Sequence, residues 1–240
     1  MMKDPKIQNT HRIYTPKLLS EKSTITLIND EYHYIRNVLR LQINNKLRIF
    51  NRSDEYLANI IGLGKKEITL LIAKHIKNNI VEKKLIFAVG IIKNDKMSDM
   101  ISMLTQIGVT NIIPIITKRV VNRNFNKDKY VKVAIEASEQ CERLSIPEIN
   151  EPIILQEFLI NNNVQIVYGH ERLEQNPKLN FSSMNEETIF MIGPEGGFTE
   201  EELEMLKDYK AFPISLGDNI LRAETAAVKL ASIVSFMRSF

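Results

Sequence analysis

Two segments near the C-terminus bring chemistry-bearing residues close together: Ile189–Phe198 (IFMIGPEGGF) and Pro213–Ala227 (PISLGDNILRAETAA). Each runs from an apolar stretch through a glycine break to a strong helix start, which reads as strand–loop–helix. Arg222 and Glu224 stand two residues apart in the second segment. A guanidinium there can donate to a carbonyl oxygen or a phosphate. A carboxylate beside it can accept a proton. The plainer alternative is that Arg222 pairs with Glu224 at the surface, and that Glu195 and Glu224 only cap helices.

The loops also say what they do not bind. Thr199 and Glu202 have capping-box spacing, and Glu200 and Glu201 add negative charge to the same first turn. These carboxylates suit a helix dipole and repel a phosphate. No Lys-Ser/Thr pair follows the glycines, and no G-x-G-x-x-G is present. An uncharged or cationic ligand read by backbone N–H and C=O groups fits better. S-adenosylmethionine (SAM) is such a ligand, with a neutral adenine, a positive sulfonium and no phosphate. Ile220 and Leu221 are apolar loop residues, which usually cover something. Ala226, Ala227, Leu230, Ala231 and Val234 form a small-residue helix face, suited to tight packing inside the domain or against a twin subunit.

The elements that must position these loops follow from periodicity. Residues 85–240 alternate strand-like and helical runs: LIFAV at 85–89, a helix from about Asp95 to Ile107, and IIPII at 112–116. A helix near 129–144 and VQIVY at 164–168 come next, followed by the two segments above. Such alternation predicts an α/β domain with a parallel, helix-covered sheet. Gly90, Gly169, Gly193 and Gly217 each follow a strand. Ligands of open α/β sheets bind outside the carboxyl ends of strands. Residues 1–74 instead read as short β-branched strands at 24–28, 46–50, 56–61 and 67–73, with one helix between the first two. In that helix Tyr34, Val38 and Leu41 recur at helical spacing, and Asn29 or Asp30 is placed to cap it. A small β-barrel is the expected front domain, with residues 75–84 as a polar linker.

Composition bounds the class. With 240 residues, 44% apolar and 25% charged, the chain can bury one large or two modest cores. The single Cys141 excludes an internal disulfide, and the four scattered histidines argue against a structural metal. No apolar run is long enough for a membrane span, and the N-terminus lacks an apolar signal core, so a cytoplasmic protein is expected. Residues 1–74 carry 13 Lys and Arg against 7 Asp and Glu, a net +6; residues 75–240 carry 19 against 22, a net −3. The front half therefore suits a polyanion. His11, Arg12, Arg36 and Arg40 supply its charge, with Tyr14, Tyr32 and Tyr34 among them as stacking candidates. Thr117–Lys132 adds a basic loop with Arg119 and Arg123. On the 128–144 helix, Glu136, Gln140 and Arg143 are spaced to share one face. Arg143 could hold a polar atom of a ligand, or only pair with Glu139.

The pair IGPEGGF and SLGDNILRAETA resembles the RsmE family, SPOUT-class methyltransferases acting on N3 of a uracil in small-subunit (16S) ribosomal RNA. HRIY at 11–14, HYIRNVLRL at 33–41, KNDKMSDMISMLTQIGVTNIIPIIT at 93–117 and EASEQCERLSIPEI at 136–149 extend the likeness over nearly the whole chain. The family often has arginine where Asn219 stands, and an acidic residue or glycine near Ile107. The resemblance implies a PUA-like RNA-binding domain over 1–74 and a SPOUT domain with a C-terminal trefoil knot over 85–240. It also implies a homodimer and, as substrate, 16S ribosomal RNA in the assembled small subunit. It implies SAM held by Gly169, Ile192, Gly193, Glu195, Gly196, Gly197, Leu216, Gly217, Ile220, Leu221 and Ala226. Arg222 is then the expected donor to the uracil oxygens, and Glu224, or less favourably Glu195 or solvent, the proton acceptor. RNA contacts are expected from His11, Arg12, Arg36, Arg40, Arg119, Arg123 and Arg143. A SPOUT enzyme acting on transfer RNA or ribose, and a non-catalytic assembly factor, are the alternatives.

Overall fold

The computed structural model describes residues 10–78, 82–120, 124–173, 184–185 and 187–238. The chain divides into two units. One comprises residues up to 81 together with Ser138–Ser145; the other comprises Glu82–Ala137 and Ile146–Phe240.

In the first unit, β1 (Arg12–Tyr14), β2 (Thr24–Ile28), β3 (Lys46–Phe50), β4 (Asp54–Leu63) and β5 (Glu67–Asn78) form one sheet in the order β1-β3-β4-β5-β2. Only the β1–β3 pair is parallel. Alternate residues turn inward: Leu47 and Ile49, Ala58 and Ile60, and Ile68, Leu70 and Ile72 are all fully buried. Among the described residues β1 and β2 remain the two edges, so the strand pairing of this PUA-like unit is open. β5 runs on through His75–Asn78, which the sequence suggested as linker. Pairing of Glu55 with Lys77 and Asp54 with Asn78 keeps those polar residues in the ladder.

The helix expected over 30–41 is shorter and shifted. α1 (Asn29–His33) passes into a π-helical turn at Tyr34–Val38, and Ile28 occupies the N-cap with no side-chain cap. The wider turn rotates the buried face. Ile35 enters the core at 0% exposure, whereas Tyr34 and Val38 are 38% and 55% exposed.

The second unit contains β6 (Ile86–Gly90), α2 (Asn94–Ile107), β7 (Asn111–Ile116), α3 (Lys127–Gln140), β8 (Glu148–Ile149), β9 (Ile153–Ile154) and α4 (Leu155–Ile160). It continues through β10 (Ile166–Gly169), β11 (Ile189–Ile192), α5 (Glu200–Asp208), β12 (Phe212–Ile214) and α6 (Ala223–Arg238). Its sheet is parallel throughout, in the order β12-β10-β11-β6-β7-β8, with β9 also pairing β7. Continuous apolar runs such as Ile189–Ile192 are buried on both faces, as a helix-covered sheet requires. The last turn of α3 groups with the first unit. The small-residue face of α6 is used inside the second unit: Ala227, Leu230, Ala231 and Val234 are buried, and α6 packs on α2. No helix among the described residues is long and apolar enough to cross a membrane.

Candidate functional site: a pocket at the strand ends

Three neighbouring strands, β11, β10 and β12, end at one cavity. β12 lies on the far side of β10 from β11, so the chain reverses its direction across the sheet here. A crevice at such a reversal is where α/β sheets place ligands. β10 contributes Gly169, His170 and Glu171. The loop after β11 contributes Ile192–Glu195, Gly197 and Phe198. The loop after β12 contributes Leu216, Gly217, Asn219, Ile220 and Leu221, and α6 closes the wall with Ala223 and Ala226.

The glycines have separate reasons. Gly197 and Gly217 have φ of +65° and +117°, which side chains rarely adopt. At Gly90 the cause is close approach: a Cβ there would lie 2.4 Å from the backbone nitrogen of Pro194. The end of β6 is thus pressed against the GPEGG loop.

Second contacts fix the loops. Thr199 Oγ1 accepts from Glu202 N–H, and Glu202 Oε2 accepts from Thr199 N–H at 2.9 Å, so the expected capping box is present. The other oxygen of Glu202, Oε1, accepts from Lys118 N–H at 2.7 Å, and Lys118 is ion-paired with Glu201. Arg119 donates to the Gly196 carbonyl at 2.8 Å. Glu195 Oε1 accepts from the backbone N–H of Lys93, the N-cap of α2, at 3.2 Å. Lys229 donates to the Leu216 carbonyl.

Most residues expected at the cofactor lie in this wall. Gly196 does not: its carbonyl is turned to Arg119, away from the cavity lining. Arg222 and Glu224 also lie outside the wall, although Leu221, Ala223 and Ala226 on either side of them belong to it. Arg222 is exposed, and among the described residues nothing engages its guanidinium, so the plainer alternative, a surface pair with Glu224, does not form. The wall also holds residues not expected at the cofactor: His170, Glu171, Pro194, Phe198, Asn219 and Ala223. The side chain of Phe198 folds back to 3.1 Å from where a Cβ on Gly193 would be. His170 Nδ1 is buried without a hydrogen-bond partner among the described residues.

The donor set fits a cationic nucleoside. Among the described residues no lysine or arginine lines the cavity, two carboxylates do, and the rest is backbone, apolar side chains, His170 and Asn219. A Cβ on Gly169 would lie 2.7 Å from Ile192 Cδ1, so the strand-end cradle depends on its absence. Phosphates have no counter-charge here. Among the described residues no group of three or more His, Cys, Asp or Glu is placed to hold a metal ion.

The residues expected at RNA separate in the structure. His11 and Arg40 are exposed, and Arg36 is half-buried with a hydrogen bond to Gln42 Oε1 at 3.1 Å. Arg123 lies outside the described residues. Arg12 is corrected: it is 5% exposed and fully engaged inside the first unit. Its Nε donates to Glu55 at 2.8 Å, its two terminal nitrogens donate to the Ser138 and Arg143 carbonyls, and its guanidinium lies 3.6 Å from the Phe50 ring centroid. Burial pulls its pKa down, and the Glu55 carboxylate opposes that. The helix placement of Arg143 is corrected. The helix ends at Gln140, and Glu142 takes φ +62°, so Glu136, Gln140 and Arg143 do not share a helix face. Arg143 Nε donates to Ser145 Oγ at 2.6 Å, and Glu139 Oε1 accepts from Tyr14 N–H at 2.8 Å.

Comparison with known proteins places this arrangement. Residues 78–235 match the RNA methyltransferase domain family, and residues 27–73 match the RNA methyltransferase PUA domain family. The ribosomal RNA small subunit methyltransferase E of Rickettsia conorii is 43% identical over 235 residues, covering 95% of this chain and 96% of that protein. Its counterpart from Buchnera aphidicola of Schizaphis graminum is 33% identical, covering 90% and 92%. A Legionella pneumophila structure, described as a methyltransferase in complex with the bound cofactor SAM, superposes with a TM-score of 0.84. It is 28% identical, covering 95% of this chain and 98% of that one.

Proposed function

The chain belongs to the RsmE family of SPOUT-class RNA methyltransferases, and we propose that it methylates N3 of a uridine in 16S ribosomal RNA of the small subunit, using SAM. The observation that carries this reading is the pocket. It lies at the ends of β10, β11 and β12, with two carboxylates and, among the described residues, no lysine or arginine in its wall. The bound cofactor of the Legionella relative supports the same ligand.

SAM supplies an electrophilic methyl group when bound. The protein's part is to hold that group, orient the uracil and manage a proton. Backbone groups of the GPEGG and SLGDN loops hold the adenosine, and Ile192, Leu216, Ile220 and Leu221 cover it. Methylation of N3 removes the imide proton, and negative charge develops on the flanking oxygens. Arg222, exposed and without a partner among the described residues, is the donor to those oxygens. Glu224, half-buried in the first turn of α6, receives the proton or passes it to solvent. Holding N3 in line with the methyl supplies much of the rate.

His11, Arg36, Arg40 and Arg119 contact RNA phosphates. Arg119 also anchors the Gly196 carbonyl, which links RNA contact to the cofactor loop. The working form is a homodimer in the cytoplasm. Exposed Ile220, Phe236 and Met237 give the second unit an apolar surface for a second copy. Calorimetry with SAM tests the reading: a saturable site with one SAM per chain is expected, and no binding removes the enzyme assignment.

A further inference from the structure

We propose that Glu171 is the residue by which the pocket distinguishes SAM from its demethylated product, through the charge on the cofactor. The proposal rests on the SAM reading above.

Glu171 follows β10 directly and lines the cavity. Its Oε1 lies 3.0 Å, and its Oε2 3.7 Å, from where a Cβ on Gly197 would stand, so the carboxylate lies against the GPEGG loop. Among the described residues, no hydrogen bond or ion pair engages it. The other wall carboxylate differs: Glu195 is tied to the N-cap of α2 through Lys93 N–H. Nearby cations are already engaged, Arg119 with the Gly196 carbonyl and Lys229 with the Leu216 carbonyl. Asn219 stands in the wall without charge. Among the described residues, Glu171 is therefore the wall carboxylate that nothing engages.

Glu171 is exposed, so its attraction for a cation is modest and screened by salt. Methyl transfer changes what it meets. The methyl carbon bonds to N3 as its bond to sulfur breaks, and that electron pair stays on sulfur. The sulfonium becomes a neutral thioether, and the N3 proton leaves to a base or solvent. Every adenosine contact survives in S-adenosylhomocysteine, but the attraction between Glu171 and the sulfonium does not. Glu171 thus favours SAM at loading and releases the product.

The test is calorimetry of the full chain with SAM and, separately, with S-adenosylhomocysteine. Wild type, Glu171→Gln and Glu171→Asp are compared, with thermal melts to confirm folding. The expected result is that Glu171→Gln weakens SAM about three- to tenfold and leaves S-adenosylhomocysteine unchanged. Glu171→Asp should restore part of the preference. Raising salt on the wild type should weaken SAM more than S-adenosylhomocysteine, a readout that needs no variant. Equal weakening of both ligands would mean that Glu171 reads the ribose or props the loop, and would overturn the proposal. Unchanged binding of both, or equal salt sensitivity, would overturn it as well. Failure of the SAM reading looks different: the wild type would bind neither ligand.

Discussion

Lys229 Nζ, on α6, donates to the carbonyl of Leu216, thirteen residues earlier, at 2.5 Å. The helix thereby holds the loop whose Leu216 and Gly217 form one wall of the pocket. Gly217 needs its positive φ of +117° for that loop to turn. Replacing Lys229 with Met keeps the length of the side chain and removes the donor. SAM affinity should fall about three- to tenfold with little change in melting temperature. Calorimetry and a thermal melt on one sample check this; unaltered affinity would show that the loop holds without the contact.

Arg12 leads to a stability prediction rather than a binding one. Its side chain and that of Glu55 are 2% and 0% exposed, and Arg48 Nη1 and Lys77 also approach Glu55, at 3.7 and 3.3 Å. Arg12→Ala removes the close partner of a buried carboxylate and unties the Ser138 and Arg143 carbonyls. The expected cost is about 3–5 kcal/mol, read from denaturant unfolding. A variant that folds normally and loses only RNA affinity would restore the surface role.

These residues show what local sequence carries. The glycine loops were legible because each follows a buried apolar run and precedes a helix start with its own capping signal, Thr199 with Glu202 in the first case. Arg12 was misread because a basic residue beside His11 looks exposed, while its carbonyl partners lie 126 and 131 positions away. The helix expected over 30–41 differs because a π turn moves burial to Ile35, and 3.6-residue periodicity has no means of marking that. Glu171 gave no signal: GHER has no periodicity, and only the neighbouring strand end brings Gly197 to it. A threaded chain path leaves no trace in periodicity either, and the knot was expected from family resemblance alone.

RNA binding should be steeply salt-dependent. Arg36→Ala, Arg40→Ala and Arg119→Ala should each reduce the log–log salt slope by about one, across sequences alike. Filter binding or fluorescence anisotropy at several salt concentrations measures it. A flat salt response would remove these residues from the interface.

Arg222→Ala separates chemistry from cofactor binding. The side chain is outside the pocket wall and has no partner among the described residues. Loss of one donor to a developing oxyanion lowers turnover about 10²- to 10³-fold. SAM affinity should stay within about twofold, since the side chain lies outside the pocket wall. Parallel loss of both would make Arg222 part of the cofactor site, and unchanged turnover would end its catalytic assignment.

The most direct test of the whole account is transfer of a labelled methyl group from SAM to small ribosomal subunits lacking this modification, followed by nucleoside analysis of the RNA. The account predicts label in 16S ribosomal RNA, recovered as N3-methyluridine. No incorporation by a chain that binds SAM, or label recovered on ribose or only on transfer RNA, would contradict it.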